Sequence, residues 1–209
     1  MSAEKQLSGM TCYFGFPGSG KSTIIAHDSV ELINKGYKVY TSGIDVKGVP
    51  YFDLSFVDRD IYPAYGSILF IDESGLDLHN QQVLSDRQRQ FYKLARHAEI
   101  IIIYFSQSHE DTNIVLRRLT VQYFYVRKLL GFSLCYPILT KLCTRPFEPN
   151  AGLFNPNRGY GELAVGFKVG SLFSKGARVI RRSVVYQLFD THVLPKNIKL
   201  LEYDRGDHF

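Results

Sequence analysis

Apolar residues occur in this chain either as short unbroken runs or at helical spacing. Met10 to Phe14 is the first run and predicts a strand. Between Ser22 and Lys35, Ile24, Ile25, Ala26, Val30, Leu32 and Ile33 recur on one helical face, and Gly36 ends the pattern. Lys38 to Ser42 predicts a second strand closed by Gly43, and the Pro-, Gly- and Asp-rich stretch from Asp45 to Ala64 predicts a loop with short elements. Ser67 to Ile71 is uninterrupted, as in a strand covered on both faces, and runs into Asp72-Glu73. Residues 81–97 suit a helix with Val83, Leu84, Phe91, Leu94 and Ala95 on its apolar side and Asp86, Arg87, Arg89, Lys93 and Arg96 on its charged side. Glu99 to Phe105 is the next buried strand, followed by Ser106-Gln107. Asp111-Thr112 caps a short helix through Leu119, and Val121 to Val126 is a fifth strand.

This alternation predicts an α/β fold with a mostly parallel sheet flanked by helices, because right-handed crossovers leave helices on both faces. Ligands then sit at the carboxyl ends of the strands, where Gly15, Asp72 and Gln107 all fall. Beyond residue 130 the pattern changes. Phe132 to Ile138, Leu163 to Val169 and Arg178 to Leu188 are β-like and alternate with loops such as Pro146 to Gly161. The expected organisation is a core over 1–130 and a β-rich C-terminal extension over 131–209, with no internal repeat.

Residues 15–22 read Gly-Phe-Pro-Gly-Ser-Gly-Lys-Ser, a phosphate-binding loop set between a strand and a helix. Its backbone N–H groups and the positive end of the following helix attract phosphate. Lys21 supplies charge to the outer phosphates and Ser22 can ligate Mg²⁺. Gly15, Gly18 and Gly20 stand where side chains would block the turn or the approach of the backbone. Two adjacent carboxylates at the end of a buried strand are costly unless a cation meets them. Asp72 is therefore expected to hold Mg²⁺, and Glu73 to polarise the water that attacks the γ-phosphate. Gln107, after the neighbouring strand, can sense that phosphate or position the water. Transition-state charge calls for a further cation, often an arginine from a neighbouring subunit, and the candidates are Arg96, Arg117 and Arg118.

The bulk properties narrow the setting. The chain has 209 residues with 45% apolar content, enough for one domain with a small appendage. No run approaches the ~20 apolar residues of a membrane-spanning helix, and the N-terminus lacks a signal pattern, so residence in a cytoplasm is expected. Cys12, Cys135 and Cys143 form no metal or disulfide spacing and read as reduced thiols, and no pair among the six histidines has metal-ligand spacing. Net charge is +5, unevenly placed: residues 1–110 carry −3 and residues 111–209 carry +8. The basic half, with Arg117, Arg118, Arg127, Lys128, Lys141, Arg145, Arg178, Arg181 and Arg182, reads either as a surface for nucleic-acid or lipid phosphates or as an ordinary solvated face.

The segments Ile-Leu-Phe-Ile-Asp-Glu-Ser-Gly (68–75), Arg-Gln-Phe-Tyr-Lys-Leu-Ala-Arg-His (89–97), Ile-Ile-Ile-Tyr-Phe-Ser-Gln (101–107), Val-Gln-Tyr-Phe-Tyr-Val-Arg-Lys (121–128) and Tyr-Gln-Leu-Phe-Asp-Thr (186–191) resemble, in this order, the zonula occludens toxin family, the assembly ATPases of filamentous phages. The resemblance spans about the whole chain. It implies a P-loop NTPase of the additional-strand class, akin to DNA-pumping motors of the RecA/FtsK type, with ATP and Mg²⁺ as cofactors. It implies a homo-oligomeric ring that drives packaging or export of phage DNA. By position, Gly15, Pro17, Gly18, Ser19, Gly20, Lys21, Ser22 and Thr23 would bind nucleotide, Ser22 and Asp72 the metal, Glu73 the water, and Gln107 would sense phosphate. Members of the family typically continue into a membrane-spanning helix, whereas this sequence ends at Phe209. The expected place is accordingly the host cytoplasm, or the inner membrane through a partner, with DNA, a coat protein or a membrane assembly protein as partners. Two other functions fit the phosphate loop: a small-molecule kinase and a nucleotide-gated adaptor with little turnover. Glu73 beside Asp72 and the lack of an arginine-rich lid favour water over an acceptor hydroxyl.

Overall fold

The first apolar run forms β1 (Met10–Phe14) and the segment after the glycine-rich loop forms α1 (Lys21–Asn34). There follow β2 (Val39–Ser42), a 3-10 turn over Leu54–Arg59, β3 (Ile68–Ile71), α2 (Asp86–Leu94) and β4 (Ile101–Ser106). The chain then forms α3 (Ile114–Leu119), β5 (Thr120–Leu129), β6 (Phe132–Thr144), β7 (Leu163–Val169) and β8 (Arg178–Arg181). These elements come from a computed structural model that describes residues 9–72, 84–108, 112–144, 163–169, 174 and 176–189, with the backbone alone for 139–144 and 163–169. Glu73, Val83, Asp111, Arg145, the loop Pro146 to Gly161 and Asp190-Thr191 lie outside the described residues, and so do the side chains of Lys141 and Cys143.

The sheet runs β2-β3-β4-β1-β5-β6-β7, with β8 also on β6. From β2 to β5 all neighbours are parallel, and β6, β7 and β8 join antiparallel. The β-rich segment beyond residue 130 therefore extends the same sheet. β6 holds β5 and β8 with its first half and β7 with its second.

Alternation along each strand sends side chains to two cores. On one face Cys12, Leu69, Ile71, Ile102 and Tyr104 pack with Phe91 and Tyr92 of α2 and Leu116 of α3. On the other, Tyr13, Phe70, Phe105 and Val126 pack with Ile24, Ile25 and Ala26 of α1. There the Tyr13 ring stacks between Phe105 at 5.0 Å and Phe124 at 4.7 Å, joining β4, β1 and β5 through one aromatic layer. Each fully buried side chain of this kind contributes roughly 1.5–3 kcal/mol of transfer free energy.

Several boundaries differ from the sequence expectation: β5 runs Thr120–Leu129 rather than from Val121 to Val126, and β6 continues to Thr144 rather than ending at Ile138. α2 ends at Leu94 rather than at residue 97, and the chain then turns through Glu99 at φ 52°. Its start is held by a capping box between Ser85 and Gln88. The cap of α3 is Asn113, whose side chain accepts from the Val115 N–H at 2.9 Å, not Asp111-Thr112. The β-like run expected from Arg178 to Leu188 breaks at Arg182 into a 3-10 turn, Arg182–Val184.

Candidate functional site

The glycine-rich loop leaves β1 and enters α1 through two left-handed residues, Gly18 at φ 73° and Gly20 at φ 100°, which glycine alone adopts without strain. Space matters at Gly15 as well: a Cβ there would lie 2.3 Å from the Val126 carbonyl oxygen, so the loop backbone runs directly against β5. Lys21 is buried, and its ammonium donates to the Gly15 carbonyl at 2.7 Å and the Phe16 carbonyl at 3.3 Å. The Ser19 hydroxyl is buried in the loop with no hydrogen-bond partner among the described residues. An orphaned hydroxyl, a lysine drawn over the loop and a helix N-terminus aimed at it suit a polyphosphate chain.

Ser22 Oγ donates to Asp72 Oδ2 at 2.9 Å. The hydroxyl is on the first turn of α1 and the carboxylate follows β3, so this bond crosses over β4, which separates β1 from β3. Asp72 is buried, and its N–H donates to the Ser42 carbonyl at 2.8 Å. Next to it Gly43 sits at φ 78°, where a Cβ would come 2.4 Å from the Asp72 carbonyl oxygen. A hydroxyl and a carboxylate, both hard oxygen donors, suit Mg²⁺. Gln107 is exposed just past β4, and the Gly15 N–H donates to Ser106 O at 3.3 Å. Gly15, Asp72 and Gln107 thus all follow the carboxyl ends of three neighbouring strands, β1, β3 and β4.

The candidate arginines do not join them. Arg96 precedes β4, and Arg117 and Arg118 precede β5 at the end where Thr120 pairs with Met10, the edge of the sheet away from the loop. They do not face the phosphate loop of their own chain. Arg117 is half-buried, with Nε lacking a hydrogen-bond partner among the described residues, and Arg96 and Arg118 are exposed.

The loop's near neighbours come instead from the far end of the chain. β5 overshoots β1 beyond the Phe14–Tyr125 pair, so the β5–β6 turn stands beside the loop. A Cβ on Gly20 would meet Ser133 Oγ at 2.0 Å and Arg182 Nη2 at 2.6 Å. Arg182 is buried and donates from Nη2 to the Gly18 carbonyl at 2.9 Å and from Nε to Ser133 Oγ at 3.1 Å. Arg178, half-buried, donates to Asp28 of α1 at 2.7 Å and to the Tyr13 hydroxyl at 3.0 Å. Two members of the basic half are therefore internal ties rather than surface charge, whereas Arg118, Arg127, Lys128 and Arg181 are exposed. No local motif marks Arg182, because its partner Gly18 lies 164 residues away.

Burial sets the ionisation of the surrounding groups. Burial raises the Tyr13 hydroxyl above its ordinary range even though Arg178 pulls the other way. Burial pushes the Cys12 and Cys135 thiols up to about 12, so both stay protonated. Burial opposes the charge on Arg178, but its ion pair and hydrogen bond with Asp28 outweigh it and hold the guanidinium firmly charged. His27 is raised above 6.5, first by its hydrogen bond to Asp28. His27, Asp28 and Glu31 lie together on α1, but Asp28 already serves Arg178.

A phosphate loop after β1, a carboxylate after β3 and an extra strand between them define a P-loop NTPase fold of the additional-strand class. Among solved structures, the chain is similar to the N-terminal domain of zonular occludens toxin from Neisseria meningitidis, with a TM-score of 0.54 and 15% identity over 88% of this chain and 100% of that one. It is also similar to the genome packaging NTPase B204 of Sulfolobus turreted icosahedral virus 2, solved with ATP-gammaS, at TM-score 0.47 and 14% identity over 62% of this chain and 92% of that one. The flagellar accessory protein FlaH from Methanocaldococcus jannaschii matches at TM-score 0.46 and 11% identity, over 62% of this chain and 77% of that one. No protein-family model matches the sequence, and no curated protein resembles it significantly. At 15% identity the likeness to the zonular occludens toxin domain is one of fold.

Proposed function

We propose that this chain is an ATP-hydrolysing motor of phage or mobile-element virion assembly that drives packaging or export of DNA. The observation that carries the hydrolytic part is the Ser22–Asp72 bond, which joins the phosphate loop to the strand-end carboxylate across β4. Lys21 holds the outer phosphates, the loop N–H groups hold the inner ones, and Gln107 is assigned to sense the γ-phosphate or position the water. Glu73, next in sequence to Asp72, is assigned as the general base that takes a proton from the attacking water. Mg²⁺ held by Ser22 and Asp72 would neutralise developing charge on the phosphates.

The DNA-moving role rests on the resemblance of five sequence segments to the filamentous-phage assembly ATPases, and the fold similarity to a zonular occludens toxin N-terminal domain is compatible with it. Exposed Arg118, Arg127, Lys128 and Arg181 offer charge to a nucleic acid. No described helix is long and apolar enough to cross a membrane, so any attachment of the described part to a membrane by a helix runs through a partner or another segment. A ring of identical subunits would allow Arg96, Arg117 or Arg118, which lie at the opposite end of the strands from their own loop, to reach a neighbour's phosphates.

The test is phosphate release from ATP by the purified oligomer, with and without DNA. Lys21→Ala and Glu73→Gln should each abolish it, and DNA should stimulate it in a salt-sensitive way. Unchanged release in both variants refutes the enzyme. Transfer of phosphate to a small acceptor with little release to water would establish a kinase instead.

A further inference from the structure

Arg182 is a buried cation whose hydrogen-bond partners are neutral. It takes the Gly18 carbonyl at 2.9 Å and the Ser133 hydroxyl at 3.1 Å, and among the described residues it meets no carboxylate. A guanidinium has five N–H donors, so these two bonds leave others without a partner among the described residues. Burying a charge without a counter-charge is costly, and Arg178 on the same β8 segment shows the usual remedy, an ion pair with Asp28. The backbone around Arg182 is fixed: its N–H donates to Gly131 O at 2.9 Å and its carbonyl accepts from Val185 N–H at 3.0 Å. The side chain is thereby held over Gly20, at the N-terminus of α1, close enough that any Cβ on Gly20 would strike it. Lys21 draws its ammonium over carbonyls of the same loop. Two buried cations thus converge on the short turn shaped to receive phosphate, and a bound phosphate would supply the counter-charge that Arg182 lacks among the described residues.

We propose that Arg182 is a second phosphate-binding cation, contributed in cis by the segment that follows β8, which contacts phosphate oxygens of the bound nucleotide alongside Lys21. This inference rests on the reading of residues 15–22 as a nucleoside triphosphate site. It also explains why β6 and β8 close over the loop. Ser133 holds Nε, so the guanidinium keeps its orientation whether or not phosphate is present.

The experiment is titration of the full chain with the Mg²⁺ complex of a non-hydrolysable ATP analogue, followed by calorimetry at several salt concentrations. The variants are Arg182→Gln, which keeps hydrogen-bond donors but not the charge, and Arg182→Lys, which keeps the charge. Thermal unfolding without nucleotide verifies that both fold. Charge-assisted bonds to phosphate predict a loss of about tenfold or more in affinity for Arg182→Gln, with a shallower salt dependence, and partial recovery in Arg182→Lys. A tie that merely props the loop would let glutamine serve as well as lysine. Wild-type affinity in Arg182→Gln, or lysine no better than glutamine, overturns the proposal and leaves the nucleotide site standing. Absence of binding by the unaltered chain overturns the nucleotide reading itself, and this inference with it.

Discussion

Gly43→Ala tests whether the end of β2 sets the position of Asp72. At φ 78°, a residue with a side chain is strained, and its Cβ would sit 2.4 Å from the Asp72 carbonyl oxygen. Left-handed backbone costs a non-glycine residue about 1–2 kcal/mol. The contact adds to this: a carbon–oxygen approach of 2.4 Å must open to about 3.3 Å, a backbone shift of roughly 0.9 Å, and overpacking of this kind costs about 1–3 kcal/mol. Gly48→Ala is the matched control, with φ 82° and no atom within 4 Å of the added carbon, so it carries the backbone cost alone. Urea unfolding should place Gly43→Ala about 1–3 kcal/mol below Gly48→Ala. The same shift displaces the Asp72 carboxylate from Ser22, now 2.9 Å away. A misplacement of about 1 Å can cost on the order of a hundredfold in rate, so phosphate release should fall steeply in Gly43→Ala and stay near wild type in Gly48→Ala. Equal stability and equal turnover in the two variants would refute the reasoning, since the contact with Asp72 would then do nothing.

Asp28→Asn removes the counter-charge of Arg178, and with the guanidinium side chain 36% exposed the loss on urea unfolding should be about 1–2 kcal/mol, discounted for solvent screening. Cys12 and Cys135, protonated and buried, should resist iodoacetamide at pH 8 in the native protein and become alkylated once it unfolds, as site-resolved mass spectrometry will record; rapid native labelling would contradict their burial. His27 has its folded pKa raised above 6.5, so its contribution is complete below pH 6.5 and is lost as pH rises through the folded value. With the side chain 38% exposed that contribution is only a few tenths of a kcal/mol, and His27→Gln should flatten the stability profile above pH 6.5 when unfolding is followed by urea titration.

Much of the fold was legible because its signals are local. Runs such as Ile68 to Ile71 and Ile101 to Phe105 are apolar at every position because both faces of a central parallel strand are covered, by α1 on one side and α2 and α3 on the other. The phosphate loop was legible for a similar reason: its left-handed turns, its lysine and its serine belong to consecutive residues. Boundaries were less so, since Asn113 caps α3 by accepting from the Val115 N–H and α2 stops at Leu94, five residues before Glu99 turns the chain.

By itself, then, the sequence determined the nature of the elements, the phosphate loop and the strand-end carboxylate, since each depends on residues adjacent in the chain or one helical turn apart. Tertiary structure alone decided that β4 lies between β1 and β3, so that Ser22 meets Asp72 across 50 residues. It also placed Arg96, Arg117 and Arg118 at the far edge, and carried Arg182 across 164 residues to the loop through the overshoot of β5 and the antiparallel return of β6 and β8. Side chains that distant in sequence become neighbours only through strand order and register, and those are set by how two hydrophobic cores close over one sheet rather than by any local run of residues.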